Sequence, residues 1–165
     1  MWSLPMKSSR LHLDEFFIIR LNLAWVTAES AETSEEYPSD LGIDYELSRH
    51  DDDPQLFRLV LRVDSVVKKG YTGLNVESEI AGFFSFPEDT AEDEMQYLVR
   101  VNGASMLYGI LRGQIAMVSG SFPGGKVNLP AVVMQEILPE IDRAKAENGT
   151  DEIAEDPTEY DAGDC

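Results

Sequence analysis

The fold is decided by residues 56–86, which read LFRLVLRVDSVVKKGYTGLNVESEIAGFFSF. Two runs in this stretch, Leu56–Val67 and Leu74–Phe86, alternate apolar and polar residues. Alternation with a period of two is typical of half-buried β-strands. Between them, Lys68-Lys69-Gly70 indicates a turn, because glycine tolerates a positive φ. The stretch therefore predicts two antiparallel strands joined by a short connection.

Two further strands are predicted on the N-terminal side of this pair. The run Ile43-Asp44-Tyr45-Glu46-Leu47-Ser48 alternates in the same way. Leu11–Val26 also favours a strand, one apolar enough to bury parts of both faces. Thr27–Leu41 joins these two strands and is rich in Ser, Thr and Glu. A connection of this length is typically either functional or disordered.

The apolar period becomes helical after Pro87. Thr90 is the predicted N-cap, followed by acidic residues that suit the first turn of a helix. Gly103, Gly109 and Gly113 fall within the helical stretch. They predict either a kink near Gly103 or a close helix–helix contact, since a missing Cβ lets two backbones approach.

A second helix is predicted from about Ala131 to Ala146, with a kink or a fresh turn at Pro139. Four strands followed by two helices indicate an α+β fold. One layer of helices covers one face of such a sheet. The other face is then available either for oligomerisation or for capture of an apolar ligand.

The charge of the chain restricts its partners. The 165 residues include 31 acidic and 13 basic side chains, a formal net charge of −18. Residues 147–165 carry eight acids and no base, which predicts an acidic disordered tail, and the rest of the chain still carries −10. We expect a folded domain over residues 11–146 and a flexible N-terminus over residues 1–10. Such acidity argues against nucleic acid and anionic membranes, and favours basic or cationic unfolded polypeptides.

The sequence predicts a cytoplasmic protein without a membrane span. Its single cysteine is Cys165, which excludes a disulfide within one chain and fits a reducing compartment. Met1–Arg10 lacks the apolar core of a signal peptide. Leu11–Val26, the most apolar stretch, is interrupted by charged residues.

We find no pattern that predicts an enzyme, a cofactor or a metal site. His50 lies beside Asp51-Asp52-Asp53, but a run of acids in a turn is typically solvated. Gly120–Gly125 follows a helix and matches neither the dinucleotide-binding nor the P-loop spacing. We therefore expect a binding protein without catalytic residues.

Several short stretches resemble the SecB export chaperones and their SecB-like relatives. The most specific is a Met-Val-Ser run that leads to a Phe-Pro turn and an Asn-Leu-Pro loop before the last helix. The matching residues are Met117-Val118-Ser119, Phe122-Pro123, Asn128-Leu129-Pro130, Leu59–Val63, Glu77 and Ala81–Ser85.

The resemblance implies a four-stranded antiparallel sheet with two helices on one face, assembled as a dimer of dimers into a homotetramer. It also implies a chaperone without catalysis or cofactor, which binds unfolded preproteins in apolar surface grooves and keeps them translocation-competent. By position, the implied client-binding residues are Tyr37, Ile43, Tyr45, Leu47, Val133, Ile137 and Ile141.

SecB proteins that serve secretion also bind the SecA motor through an acidic patch on the outer sheet face. Glu15 and Glu77 match two acids of that patch, whereas Ile19 and Asn75 depart from it. Two alternatives stay open at this stage. One is a SecB-like chaperone dedicated to a single client, such as the antitoxin of a toxin–antitoxin system. The other is a small apolar ligand-binding module.

Overall fold

The computed structural model describes residues 9–28, 39–122 and 126–148. Tyr37, residues 1–8 and residues 149–165 of the predicted tail lie outside the described residues, as does most of the long connection before the second strand. The first two residues of that predicted tail, 147 and 148, belong to the last helix and not to a disordered segment. The elements in chain order are β1 His12–Val26, β2 Ser39–Arg49, β3 Leu56–Val67, β4 Gly73–Ser85, α1 Glu92–Leu98, α2 Ala104–Ser119 and α3 Met134–Asn148. A π-helical turn, Val99–Gly103, joins α1 to α2.

The four strands form one sheet in the order β1-β4-β3-β2, and every neighbouring pair is antiparallel. β1 and β2 are therefore the two edge strands. The helices pack on one face, which we call the inner face, and the opposite one is the outer face. The α+β architecture with a four-stranded antiparallel sheet predicted from the sequence is confirmed.

The alternation of β3 and β4 places their apolar residues on the inner face. The buried inner-face residues of these two strands are Phe57, Leu59, Leu61, Val63, Leu74, Val76, Ile80 and Phe84. All of them except Leu74 share one core with Leu107, Leu111 and Ile115 of α2, whose spacing of four residues keeps them on one side of the helix. This shared core fixes the sheet beneath the helices and determines where α3 can lie.

Where the sequence predicted a kink or a close helix–helix contact, the structure has the π-helical turn that ends at Gly103. A Cβ added at Gly103 would lie 3.2 Å from Phe84 Cζ, so the glycine lets the helix approach the sheet closely. The other two glycines differ, because a Cβ at Gly109 or Gly113 would meet no atom of the described residues within 4 Å. They lie on an open face of α2.

Two predicted helix starts are wrong. α1 begins at Glu92 with Ala91 as its N-cap, and no side chain caps it. Thr90 belongs instead to the preceding turn, where its amide donates to the Pro87 carbonyl at 3.0 Å and its side chain is buried. α3 begins at Met134 and not at Ala131, and it continues past Pro139 to Asn148. Within the described ranges, no helix is long and apolar enough to cross a membrane.

Candidate functional site

An open apolar groove runs between the edge strand β2 and helix α3. Its volume is about 470 Å³, and it is lined by Leu41, Gly42, Ile43, Ile137, Glu140, Ile141 and Ala144. Leu41 and Ile43 are inner-face residues of β2, two positions apart, so both point toward the helix layer. Ile137, Ile141 and Ala144 recur at a spacing of three to four residues and form one stripe of α3.

The structure brings together three of the seven residues predicted to bind a client. Ile43, Ile137 and Ile141 all line the groove. Leu47 is half-buried further along β2, and Val133, 56% exposed, immediately precedes α3. Tyr45 lies between Ile43 and Leu47 but is only 8% exposed, and Asp142 and Lys145 of α3 contact it.

Tyr45 is held by a polar cluster that joins β2, the π-helical turn and α3. Its hydroxyl donates to Asp142 Oδ1 at 2.6 Å and accepts from Arg100 Nε at 3.1 Å. Arg100 also pairs with Asp142. Lys145 of α3 contacts the same tyrosine from another side, with Nζ 4.8 Å from the ring centroid. The cluster fastens α3 to the edge strand.

The backbone edge at Tyr45 is closed by the same helix. Lys145 Nζ donates to the Tyr45 carbonyl and pairs with Asp44 Oδ1 at 2.6 Å. Asp44 Oδ1 in turn accepts the Tyr45 amide at 2.8 Å. Both backbone groups of Tyr45 therefore have partners other than β3, which means that they face the open side of β2. In an antiparallel pair the orientation alternates, so Ile43 and Leu41 also direct their backbone groups to this side.

The surroundings shift the pKa values of Tyr45 and Asp44. Burial and the hydrogen bond to Asp142 raise the pKa of Tyr45, and the charge of Arg100 offsets this only in part. Burial also acts to raise the pKa of the Asp44 carboxyl. However, hydrogen bonds from Lys145 and the Tyr45 amide, with the charges of Lys145 and Arg62, together lower it below its ordinary value. Asp44 is thus ionised and Tyr45 neutral near pH 7.

Sequence patterns did not reveal Arg100, Asp142 or Lys145 as members of this site. A signal was nevertheless present, because a tyrosine on the buried face of a strand needs a hydrogen-bond partner for its hydroxyl. The three partners follow Tyr45 by 55 to 100 residues. Spacing along the chain could therefore not identify them.

The outer face holds the two acids predicted to bind SecA, but it does not bring them together. In the register of β1 against β4, Glu15 lies opposite Phe83, whereas Glu77 lies opposite Asn22. Phe83 and Glu77 are six residues apart on β4, so roughly 20 Å separates the two positions.

Glu77 is also engaged within the chain. It pairs with Arg20 and accepts a hydrogen bond from Asn22 Nδ2 at 3.1 Å. The hydrogen bonds from Asn22 and Arg20, and the Arg20 charge, lower the pKa of Glu77. The ion pairs continue across the sheet from Arg20 to Glu79 (3.7 Å) and from Glu79 to Arg62 (3.4 Å). This half of the outer face is a connected network of ion pairs in which two arginines face four carboxylates.

A second concavity of about 500 Å³ lies at the opposite end of the sheet. Its lining includes Asp14, Glu15, Phe83, Arg58 and Asp51. Arg58 and the Arg49 guanidinium, which pairs with Glu92 at 2.8 Å, place cations among these acids. In the portion of the chain that the structure describes, no three His, Cys, Asp or Glu side chains are grouped to hold a metal ion.

Comparison with known proteins gives a structural match but no sequence match. No protein-family model matches the chain, and neither does any curated protein sequence. Among solved structures, it is similar to the Mycobacterium tuberculosis Rv1957 SecB-like chaperone, solved in complex with a ChAD peptide from the HigA1 antitoxin. The TM-score is 0.58 at 16% identity, over 74% of this chain and 91% of that one. The two share a fold.

A second solved structure is a protein of unknown function from Streptococcus agalactiae. Its TM-score is 0.44 at 13% identity, over 76% of this chain and 100% of that one.

Proposed function

We propose that this protein is a SecB-like molecular chaperone that binds unfolded polypeptide in the groove between β2 and α3. The observation that carries the proposal is the apolar groove directly beside the open side of an edge strand. On this proposal the protein acts in the cytoplasm by binding alone, without a cofactor and without catalytic turnover.

The groove suits an extended chain because it offers two kinds of contact. The backbone groups of Leu41 and Ile43, which face the open side of β2, can pair with the main chain of a client, whatever its sequence, while apolar pockets accept alternate side chains. Ile43, Ile137 and Ile141 supply the apolar wall. The groove is open to solvent, which favours a long polypeptide over a small enclosed ligand.

Two client classes are compatible with this groove: preproteins delivered to SecA, and one dedicated client such as an antitoxin. The engagement of Glu77 by Arg20 favours the dedicated client, since a paired acid attracts a basic partner less than a free one. The antitoxin peptide bound by the M. tuberculosis protein supports the same choice.

We further propose that the protein assembles as a homotetramer. Met106, Gly109, Gly113 and Met117 recur at helical spacing on α2, and Met117 is 65% exposed. The two glycines leave open space where a second helix can approach closely. Exposed apolar residues on the edge strand β1, such as Phe17 and Ile19, offer a second contact.

Suppression of client aggregation by the full chain tests the proposed function. We expect the wild type to suppress aggregation of a chemically unfolded client. Ile43→Asp places a charge in the apolar groove and should weaken suppression by about tenfold or more. Val66→Asp is the matched control, because Val66 is 56% exposed on the outer face of β3 and should tolerate the same change.

The same preparations separate the competing functions. Light scattering that finds a monomer, together with no suppression, would contradict the chaperone and favour a small-ligand module. Equal suppression by the Ile43 and Val66 variants would remove the groove from the proposal. Binding of a SecA C-terminal tail to the full chain would favour preprotein export, and binding of a cognate antitoxin segment alone would favour the dedicated role.

A further inference from the structure

The ammonium group of Lys145 occupies a site that could bind another cation if Lys145 were absent. Its ammonium group meets the Asp44 carboxylate at 2.6 Å, the Tyr45 carbonyl oxygen, and the face of the Tyr45 ring. A carboxylate, a carbonyl and an aromatic face are the groups that bind an ammonium ion in proteins. We call these three groups the Tyr45 cation site.

The cation site lies directly beside the apolar groove. Tyr45 follows Ile43 by two residues on the same face of β2, a separation of roughly 7 Å. An extended client along this edge that places an apolar side chain against Ile43 reaches the cation site with the residue two positions away, before or after it according to the direction of the client chain. Lys145 therefore lies in the path of such a client.

The side chain of Lys145 is free enough to be displaced. It is 47% exposed, and its carboxylate partner Asp44 is 44% exposed. Asp44 keeps a second cation, Arg62 Nη1 at 3.4 Å from Oδ2, but this contact leaves Oδ1 to Lys145 and the Tyr45 amide. Arg100 also lies against the Tyr45 ring, with Cζ 5.8 Å from the centroid, but its guanidinium nitrogens are engaged by Asp142 and the Tyr45 hydroxyl.

We propose that a client with its own lysine or arginine displaces Lys145 from the Tyr45 cation site. This inference rests on the proposed function and adds a substrate class to it: extended segments in which a cationic residue lies two positions from an apolar one, before or after it. When no client is bound, Lys145 occupies the position that the client's cation would take. Because one cation replaces another, the Asp44 carboxylate keeps an ion-pair partner when Lys145 is displaced.

Two fluorescent peptides bound to the full chain test this inference. One is an unstructured peptide that alternates apolar and polar residues and has a single central lysine, and its sister has glutamine at that position. Their dissociation constants are measured by fluorescence anisotropy with wild type, Lys145→Gln and Asp44→Asn. The quantity compared is the preference of each protein for the lysine peptide, so that a modest change in stability cancels.

We expect Lys145→Gln, which vacates the site, to raise the preference for the lysine peptide by roughly three- to tenfold over wild type. Asp44→Asn should abolish that preference, and Lys145→Arg should restore the wild-type value. Lys68→Gln is the matched control, since Lys68 pairs with Asp40 at 3.8 Å, away from Tyr45, and loses the same charge.

The outcomes separate this inference from the proposed function. If both peptides bind but their ratio is the same in wild type, Lys145→Gln and Asp44→Asn, the cation exchange is wrong and the groove stands. If Lys68→Gln raises the preference as much as Lys145→Gln, the effect is one of net charge and the site is again wrong. If neither peptide binds any variant, the proposed function fails and the inference with it.

Discussion

β1 and β2 are both edge strands, but the chain protects them differently. The edge of β2 meets α3, which buries Tyr45 and places Lys145 on its carbonyl. β1 is a 15-residue strand on which Phe17 and Ile19 are each 51% exposed. An uncovered apolar edge is a template for pairing with another chain, whereas a charged side chain on an edge discourages it.

This difference suggests two kinds of partner. The long apolar β1 suits a permanent contact of large area, such as the assembly proposed above. The shorter β2 has a groove and a displaceable lysine, which suit a client that binds and leaves. Predictions that perturb one edge and spare the other test this division.

The largest effect is expected at β2, the edge strand that α3 contacts. Tyr45→Ala removes a buried aromatic ring and the hydroxyl that ties β2 to the π-helical turn and α3. We expect a loss of roughly 3 kcal/mol in the free energy of unfolding, measured with urea. Tyr97→Ala on α1 is the control and should cost less than about 1 kcal/mol, because that ring is half exposed. Equal losses at the two positions would show that α3 does not guard β2.

A smaller effect is expected on self-association. The double variant Phe17→Glu/Ile19→Glu places two acids on an already acidic chain at the open edge, so two copies of β1 should repel each other. We expect the dissociation constant for assembly to rise by about tenfold or more, as measured by sedimentation equilibrium. Val66→Glu, on the outer face of β3 and separated from β1 by β4, should leave the assembly unchanged. An unaltered mass for the double variant would exclude β1 from the interface.

The sequence predicted the strands of the sheet well, but it did not predict the contacts between β2 and α3. Alternation identified β3 and β4 because both strands lie in the centre of the sheet, where one face is fully buried. It placed Tyr45 on the inner face but could not supply Asp142 as its partner, since the two are 97 residues apart and meet only through tertiary packing.

A local irregularity also concealed the charge network on the outer face. The register of β1 against β4 shifts between Ile18 and Arg20, so Ile18 faces the helices and Arg20 lies opposite Glu79 on the outer face. Regular alternation would have placed these two residues on the same side of the sheet. The neutralisation of Glu77 by Arg20 therefore follows from a bulge that no periodicity predicts.

The smallest effect concerns the charge that closes the β2 edge. Because the pKa of Asp44 is lowered in the folded protein, its stabilising contribution is complete above the unfolded value of about 3.9 and is lost as the pH falls through the lower folded value. We therefore expect wild type to exceed Asp44→Asn in unfolding free energy by at most about 0.5 kcal/mol near pH 7, since the carboxylate is 44% exposed.

That difference should shrink when urea titrations are repeated between pH 6 and about pH 3, and it should also shrink in high salt, which screens an exposed pair. A difference that grows toward acid pH would mean that Asp44 is stabilised in its protonated form. In that case Lys145 would not close the edge by charge. The contact between β2 and α3 would then depend on the burial of Tyr45 alone. A client would have to displace the whole of α3 and not only the Lys145 side chain.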